Sequence, residues 1–157
     1  MTYKIYIPID STALSLGAND VYEAVISEAK KRDIDIQIVR NGSRGLFWLE
    51  PLIEVETSDG RLAYGPVTVD DVITLFDDKF YAGNDSSSLF LGLTEEIAWL
   101  KNQERLTFAR VGITDPVDID DYEKYDGFKG LRNALKQDSQ SIVKTMTDSG
   151  LRGRGGA

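Results

Sequence analysis

The residues of this chain whose types and spacing best suit chemistry are Ser149-Gly150-Leu151-Arg152-Gly153-Arg154-Gly155-Gly156-Ala157. Glycines at 153, 155 and 156 let the backbone take positive φ and approach a ligand closely, while Arg152 and Arg154 bring fixed positive charge to phosphate or carboxylate oxygens. Gly153, Arg154, Gly155 and Gly156 are therefore the candidate anion-binding residues, with Arg152 beside them. A loop of this kind ordinarily feeds a helix whose N-terminus completes the anion site, and no such helix follows in these residues. The same short string also reads as a flexible tail, and spacing alone leaves both readings open.

Other chemistry is bounded by what is missing. The 157 residues include no histidine and no cysteine. A Ser-His-Asp triad, a Cys-His pair, most zinc sites, a disulfide and a thiolate-ligated iron-sulfur cluster are all excluded. General acid-base work would fall to Asp, Glu, Lys or Tyr, and no catalytic residue or metal ligand is assigned. A redox role needs a bound organic cofactor or a centre outside these residues. The acidic stretch Asp115, Asp118, Asp120, Asp121, Glu123 and Asp126 lacks the alternating spacing and distal Glu of a calcium loop, and reads instead as a helix start with acids at the positive end of the dipole. Trp48 and Trp99 are candidates for stacking on a ligand, with packing in a core or interface the plainer reading.

The elements that must position these residues follow from composition and periodicity. A hydrophobic content of 41 % suffices for a core, and the net charge of −8 argues against nucleic acid or an anionic membrane as partner. No apolar run approaches membrane-spanning length and the first residues lack a signal-peptide layout, so a soluble cytoplasmic protein is expected. Tyr3, Ile5, Ile7 and Ile9 alternate as a strand. Asp20 and Glu23 have capping-box spacing, and Tyr22, Val25, Ile26 and Ala29 continue with helical period to Lys30-Lys31-Arg32. Ile34, Ile36 and Ile38 alternate as a second strand, which makes a βαβ unit with parallel strands. Pro51 precedes a third strand at 52–56, Ser58-Asp59-Gly60 turns into a fourth at 62–64, and Thr68 with Asp71 starts a helix over 69–77. Residues 81–105 read as a linker, with Gly83-Asn84-Asp85-Ser86-Ser87-Ser88 its most turn-rich part. Beyond it Phe128, Leu131, Ala134 and Leu135 share one helical face. Ile142, Val143 and Met146 share another, started by Asp138 or Ser139 and ended by Gly150.

The fold class is α/β, a thioredoxin-like βαβ-ββα domain over 1–80 followed by a mainly helical region over 106–157. Two stretches carry family resemblances. Asn41-Gly42-Ser43-Arg44-Gly45-Leu46-Phe47-Trp48-Leu49-Glu50-Pro51, with Asp59-Gly60 and Tyr64-Gly65-Pro66-Val67-Thr68, resembles the second half of a thioredoxin-like 2Fe-2S ferredoxin domain. That family reads Cys-x-x-x-Cys shortly before the proline. The matching positions here are Ser43 and Phe47, so the resemblance implies the fold and a docking role but no cluster, with the aromatic expected to fill the volume.

Leu106 through Asp115-Pro116, Asp120-Asp121-Tyr122, Gly127-Phe128 and Gly130-Leu131 to the terminal Gly/Arg run resembles the entrance of the NADH-binding flavoprotein subunit of respiratory complex I. A cluster-less thioredoxin-like domain before such a flavoprotein is similar to the beta subunit of soluble NAD-dependent, molybdenum-containing formate dehydrogenases. This resemblance implies an N-terminal fragment of a diaphorase subunit, in which Gly153, Arg154, Gly155 and Gly156 form one wall of the FMN and NAD site. It further implies a 4Fe-4S cluster beyond these residues, and as partners a molybdenum-containing alpha subunit and a 2Fe-2S gamma subunit. Electrons from formate would pass through iron-sulfur clusters and FMN to NAD, and the fragment alone is expected to be inactive without tightly bound cofactor. The corresponding subunit of an NAD-reducing hydrogenase or of complex I, and a non-catalytic subunit-docking module, remain alternatives.

Overall fold

The computed structural model describes residues 1–153 and Gly155, which form two compact units, 1–118 and 119–157. In the first unit the elements are β1 (Tyr3–Tyr6), α1 (Ser11–Ser15), α2 (Ala18–Lys31), β2 (Ile36–Val39), β3 (Ile53–Thr57), β4 (Gly60–Tyr64), α3 (Val72–Asp77), β5 (Phe90–Leu93) and α4 (Ala98–Lys101). The sheet order is β2-β1-β3-β4-β5. β1 and β2 run parallel in the register Tyr3↔Ile36 to Tyr6↔Val39, with α2 as the crossover. β3 lies antiparallel to β1, and β4 returns along β3 through a tight turn closed by Thr57↔Gly60. With α3 following β4, this is the thioredoxin-like βαβ-ββα order.

Sequence periodicity accounts for most of these elements. Val21, Val25 and Ala29 of α2 and Val72, Leu75 and Phe76 of α3 bury one apolar stripe each against Ile5, Ile53, Val55 and Tyr64 of the sheet. Thr68 and Asp71 make the expected capping box, with the Thr68 backbone N and Oγ1 donating to Asp71 Oδ2 at 2.8 and 2.6 Å. Asp20 and Glu23 do not make one. α2 begins earlier, behind Gly17 at φ 95°, and Asp20 lies in its first turn where the helix dipole favours an acid. The additional helix α1 is capped by Asp10, whose Oδ1 accepts from Thr12 N at 3.0 Å and Ala13 N at 3.3 Å. Four strands are expected from the sequence, and among the described residues five are present. β5 lies within the stretch read as a linker and pairs antiparallel with β4 across an irregularity at Ala63/Tyr64.

The second face of the sheet is polar yet covered. Tyr6 and Glu54 are paired neighbours on it, and both are buried. The Arg61 guanidinium lies 3.4 Å above the Tyr6 ring centroid, and the Tyr6 hydroxyl donates to Glu56. Over this face runs the segment 105–118, which we call the strap. Arg61 Nη1 and Nη2 donate to the carbonyls of Gly112 at 3.0 Å and Ile113 at 3.1 Å, and Asn41 Nδ2 donates to Gly112 O at 2.8 Å. Gly112 has φ +76°, and a Cβ there would stand 2.2 Å from Arg44 Cδ. Only glycine allows that approach.

The second unit contains α5 (Ile119–Lys124), α6 (Lys129–Ala134) and α7 (Ser139–Asp148). Asp120 and Asp121 occupy the first turn of α5, as expected of an acidic helix start. Phe128 does not share the α6 face; it precedes the helix at φ 59°, its ring edge-on to Tyr122. Asp138 caps α7 by accepting from Gln140 N and Ser141 N at 3.0 and 2.9 Å, and Gly150 follows its end at φ +62°. Leu131, Leu135, Val143 and Met146 are all more than half exposed. Among the described residues no helix is long and apolar enough to cross a membrane.

Candidate functional site

The loop joining β2 to β3 holds Ser43 and Phe47, the two positions that the sequence resemblance sets against cluster cysteines. Its course is fixed from below by Arg40, which lies 4.3 Å over the Tyr22 ring and donates to the carbonyls of Ile7 and Pro8 at 3.2 Å each. Burial pushes the Arg40 guanidinium pKa down. Next comes a buried ion pair. Arg44 Nε and Nη2 donate to Glu54 Oε1 and Oε2 at 2.8 and 2.7 Å, a bidentate fork, with Arg44 5 % and Glu54 1 % exposed. Arg44 Nη1 reaches outward to Glu95 at 2.8 Å, and Arg61 stands 3.6 Å from Glu54 on the other side. The Arg44 fork thus ties the loop to β3 and, through Glu95, to the turn after β5.

Ser43 and Phe47 behave differently from each other. The Ser43 hydroxyl donates to Glu50 Oε1 at 2.6 Å and accepts from Gly45 N at 2.9 Å. Glu50 is buried, its other oxygen accepting from Leu52 N at 2.9 Å. Burial raises the Glu50 pKa, against the opposing effect of these two hydrogen bonds, and the charges of Asp10 and Glu54 push it further up. Phe47 was expected to fill the space of a lost cluster. It is instead 55 % exposed, on a 3-10 turn Phe47–Leu49, and the Ser43 side is satisfied by Glu50. An engaged hydroxyl and a phenyl ring supply no thiolate, so the residues present do not fit an iron-sulfur cluster. Among the described residues no group of three or more acidic, His or Cys side chains could hold a metal ion.

Beside Phe47 lies an aromatic pair. Trp48 and Trp99 meet edge to face at 5.7 Å and 88°, and are 59 % and 60 % exposed. Neither is in the core. A cleft lined by Ala98, Trp99, Asn102 and Gln103 opens on one side, and a second cleft lined by Arg44, Gly45 and residues 103–108 with Val111 begins at the same Gln103.

The terminal candidates stand in the other unit. Arg152 and Gly153 are exposed and outside any regular element, and a Cβ at Gly153 or Gly155 would meet nothing within 4 Å. Arg154 and Gly156 lie outside the described residues. The Arg44–Glu54 pair was missed by sequence reasoning, because strict alternation in Ile53-Glu54-Val55-Glu56 points Glu54 to solvent and nothing local marks the strap that covers it.

No family model matches this chain. Over 57 residues, 36 % of its length, it is 42 % identical to the NADP-reducing hydrogenase subunit HndC of Solidesulfovibrio fructosivorans, and it spans 12 % of that relative's length. Among solved structures it is similar to the thioredoxin-like [2Fe-2S] ferredoxin of Aquifex aeolicus, with a TM-score of 0.48 and 15 % identity over 58 % of this chain and 97 % of that one. A cysteine-to-serine variant of the same ferredoxin gives 0.45 and 16 % over 57 % and 98 %. The thioredoxin-like arrangement of this chain rests on its own strand order and pairing.

Proposed function

We propose that this chain is the N-terminal part of the NAD(P)-linked electron-transfer subunit of a multi-subunit oxidoreductase. More finely, we assign it to the beta subunit of a cytoplasmic NAD-dependent formate dehydrogenase, which passes electrons from formate through iron-sulfur clusters and FMN to NAD. The observation that carries the reading is the 42 % identity over 57 residues to a hydrogenase subunit named as NADP-reducing. The choice of formate rests on the cysteine-free thioredoxin-like domain alone. In this assignment residues 1–80 are a docking domain and 106–157 begin the flavoprotein domain, with molybdenum-containing alpha and 2Fe-2S gamma subunits as partners. Gly153, Arg154, Gly155 and Gly156 contact the phosphate groups of FMN or NAD. The open space around Gly153 and Gly155 is compatible with close approach of such a ligand.

A run of backbone NH groups binds anions well only when preorganised, and ordering each residue costs about 1–2 kcal/mol. The 157 residues alone are therefore expected to retain neither FMN nor NADH. The test compares them with a polypeptide extended from the encoding gene through the whole flavoprotein domain, by flavin fluorescence and NADH-dependent dye reduction. The longer protein is expected to carry flavin and reduce dye, and Gly155→Val or Gly156→Val in it to lose flavin. Formate-driven NAD reduction by the assembled complex supports the finer assignment, whereas reduction driven by hydrogen replaces it with a hydrogenase. A longer protein without flavin overturns both. The engaged Ser43, with no thiolate beside it, favours a docking rather than a redox role for the first unit, which is compatible with this reading.

A further inference from the structure

The largest unexplained feature of the first unit is apolar surface. Phe47, Trp48, Trp99, Leu106 and Phe108 are 55, 59, 60, 91 and 66 % exposed. Trp48 touches Trp99, Trp99 shares a cleft with Gln103, and Gln103 shares the next cleft with Leu106 and Phe108, so the five form one strip. With about 200 Å² for each fully exposed side chain, the strip presents roughly 650 Å² of apolar surface. That exceeds the roughly 300–600 Å² of the largest patch on an ordinary monomer and approaches the ~800 Å² that each partner contributes to a stable interface.

We propose that this strip joins two copies of the chain face to face in an isologous dimer. In a two-fold interface, residue i of one copy meets residue j of the other and j meets i, so the surface must complement itself in charge as well as shape. Most charges around the strip are already neutralised within the chain: Glu95 pairs with Arg44 and Glu96 with Lys101. Two are not. Among the described residues Glu104 has no cation partner. Among the described residues the hydrogen-bond acceptors of Arg105 are neutral, Gln103 Oε1 at 3.1 Å and Arg44 O at 3.0 Å. These adjacent residues of opposite sign both line the cleft between Gln103 and Phe108. Across a two-fold axis, Arg105 of each copy meets Glu104 of the other, and two ion pairs form on a face that is locally neutral although the chain carries −8. A partner with a strongly basic or acidic face would find no matching field here.

The proposal is independent of the oxidoreductase assignment and is tested on the 157-residue chain itself. Its two tryptophans both lie in the strip, so their fluorescence reports burial of this surface and little else. Sedimentation from about 1 µM to about 1 mM is expected to show a species of twice the 17.5 kDa chain mass. Over the same range the tryptophan emission should shift to the blue and acrylamide quenching should fall. Trp99→Ala should raise the dimer dissociation constant at least about tenfold. Glu104→Arg and Arg105→Glu should each weaken association, and the double exchange Glu104→Arg with Arg105→Glu should restore it. A chain that stays at 17.5 kDa with quenchable tryptophans throughout this range overturns the proposal. A dimer that survives Trp99→Ala, or whose double exchange fails to recover, places the contact elsewhere and also overturns it.

Discussion

Replacing Arg44 by methionine leaves the Glu54 carboxylate 1 % exposed without the fork that donates to both its oxygens at 2.8 and 2.7 Å. Stranding one member of a buried pair typically costs about 3–5 kcal/mol, because the remaining charge keeps its desolvation penalty and loses its compensation. Arg61 at 3.6 Å and Asn41 at 3.5 Å supply only partial relief, so the loss should lie within that range. The outer contact to Glu95 adds little, since that side chain is 70 % exposed and water replaces the bond. With a urea dependence of about 2 kcal/mol per molar, the midpoint should fall by roughly 1.5–2.5 M. Far-UV circular dichroism is the readout, because the sheet and helices of the unit that contains the pair lose their signal on unfolding, whereas Trp48 and Trp99 are already 59 % and 60 % exposed when folded. Removing both charges, as Arg44→Met with Glu54→Leu, should recover most of the loss or improve on the parent, because the two desolvation penalties disappear together. A single variant that loses less than about 1 kcal/mol would refute the reasoning, as would a double variant no more stable than the single one.

Three further outcomes follow from neighbouring residues. Gly112→Ala must place a Cβ 2.2 Å from Arg44 Cδ at φ +76°; it should cost about 2 kcal/mol or more and speed amide hydrogen exchange in residues 110–114, and unchanged exchange would count against the strap. Glu50 holds its proton more tightly folded than unfolded, so its contribution to stability is full below its ordinary value of 4.5 and is lost as pH rises through the raised folded value. Glu50→Gln, which keeps an acceptor for Leu52 N, should therefore gain on the parent in urea midpoint as pH rises through that window and then hold a constant advantage; a difference that is flat with pH would contradict the burial argument. Protein purified without oxygen should show no iron-sulfur absorbance, and stoichiometric bound iron would refute the alignment of Ser43 and Phe47 with cluster ligands.

The part of this fold that was legible in the sequence is the part held by local pattern. β1, α2 and β2, the Ser58-Asp59-Gly60 turn and the Thr68–Asp71 box each carry their signal within a dozen residues. β5 does not: Phe90-Leu91-Gly92-Leu93 is four half-buried residues at an edge, with Gly92 at φ +85°, and reads as loop until β4 is beside it. The start of α2 was misplaced because Asp20 and Glu23 have the right spacing for a cap while Gly17, with no side chain to announce it, ends the preceding turn. The buried side of the sheet was hidden for a different reason. Period-two alternation assigns faces but cannot tell whether a face is covered, and Gly112 and Ile113, which lie over this one, come from more than fifty residues downstream of the Arg61 that holds them. The candidate terminal residues were read from type and spacing, and of these the structure describes Gly153 and Gly155.

The manner in which the strap is held has an evolutionary consequence. Asn41 and Arg61 grip the carbonyl oxygens of Gly112 and Ile113, atoms that every amino acid possesses. A grip on the main chain places no demand of its own on the side chains at the exposed positions around it, apart from the one position where a methyl group has no room. Descendants of this sequence can therefore recolour the exposed positions 106–109, 111 and 116–118, changing what they offer to other molecules, while Tyr6 and Glu54 stay shielded and the sheet beneath keeps its shape.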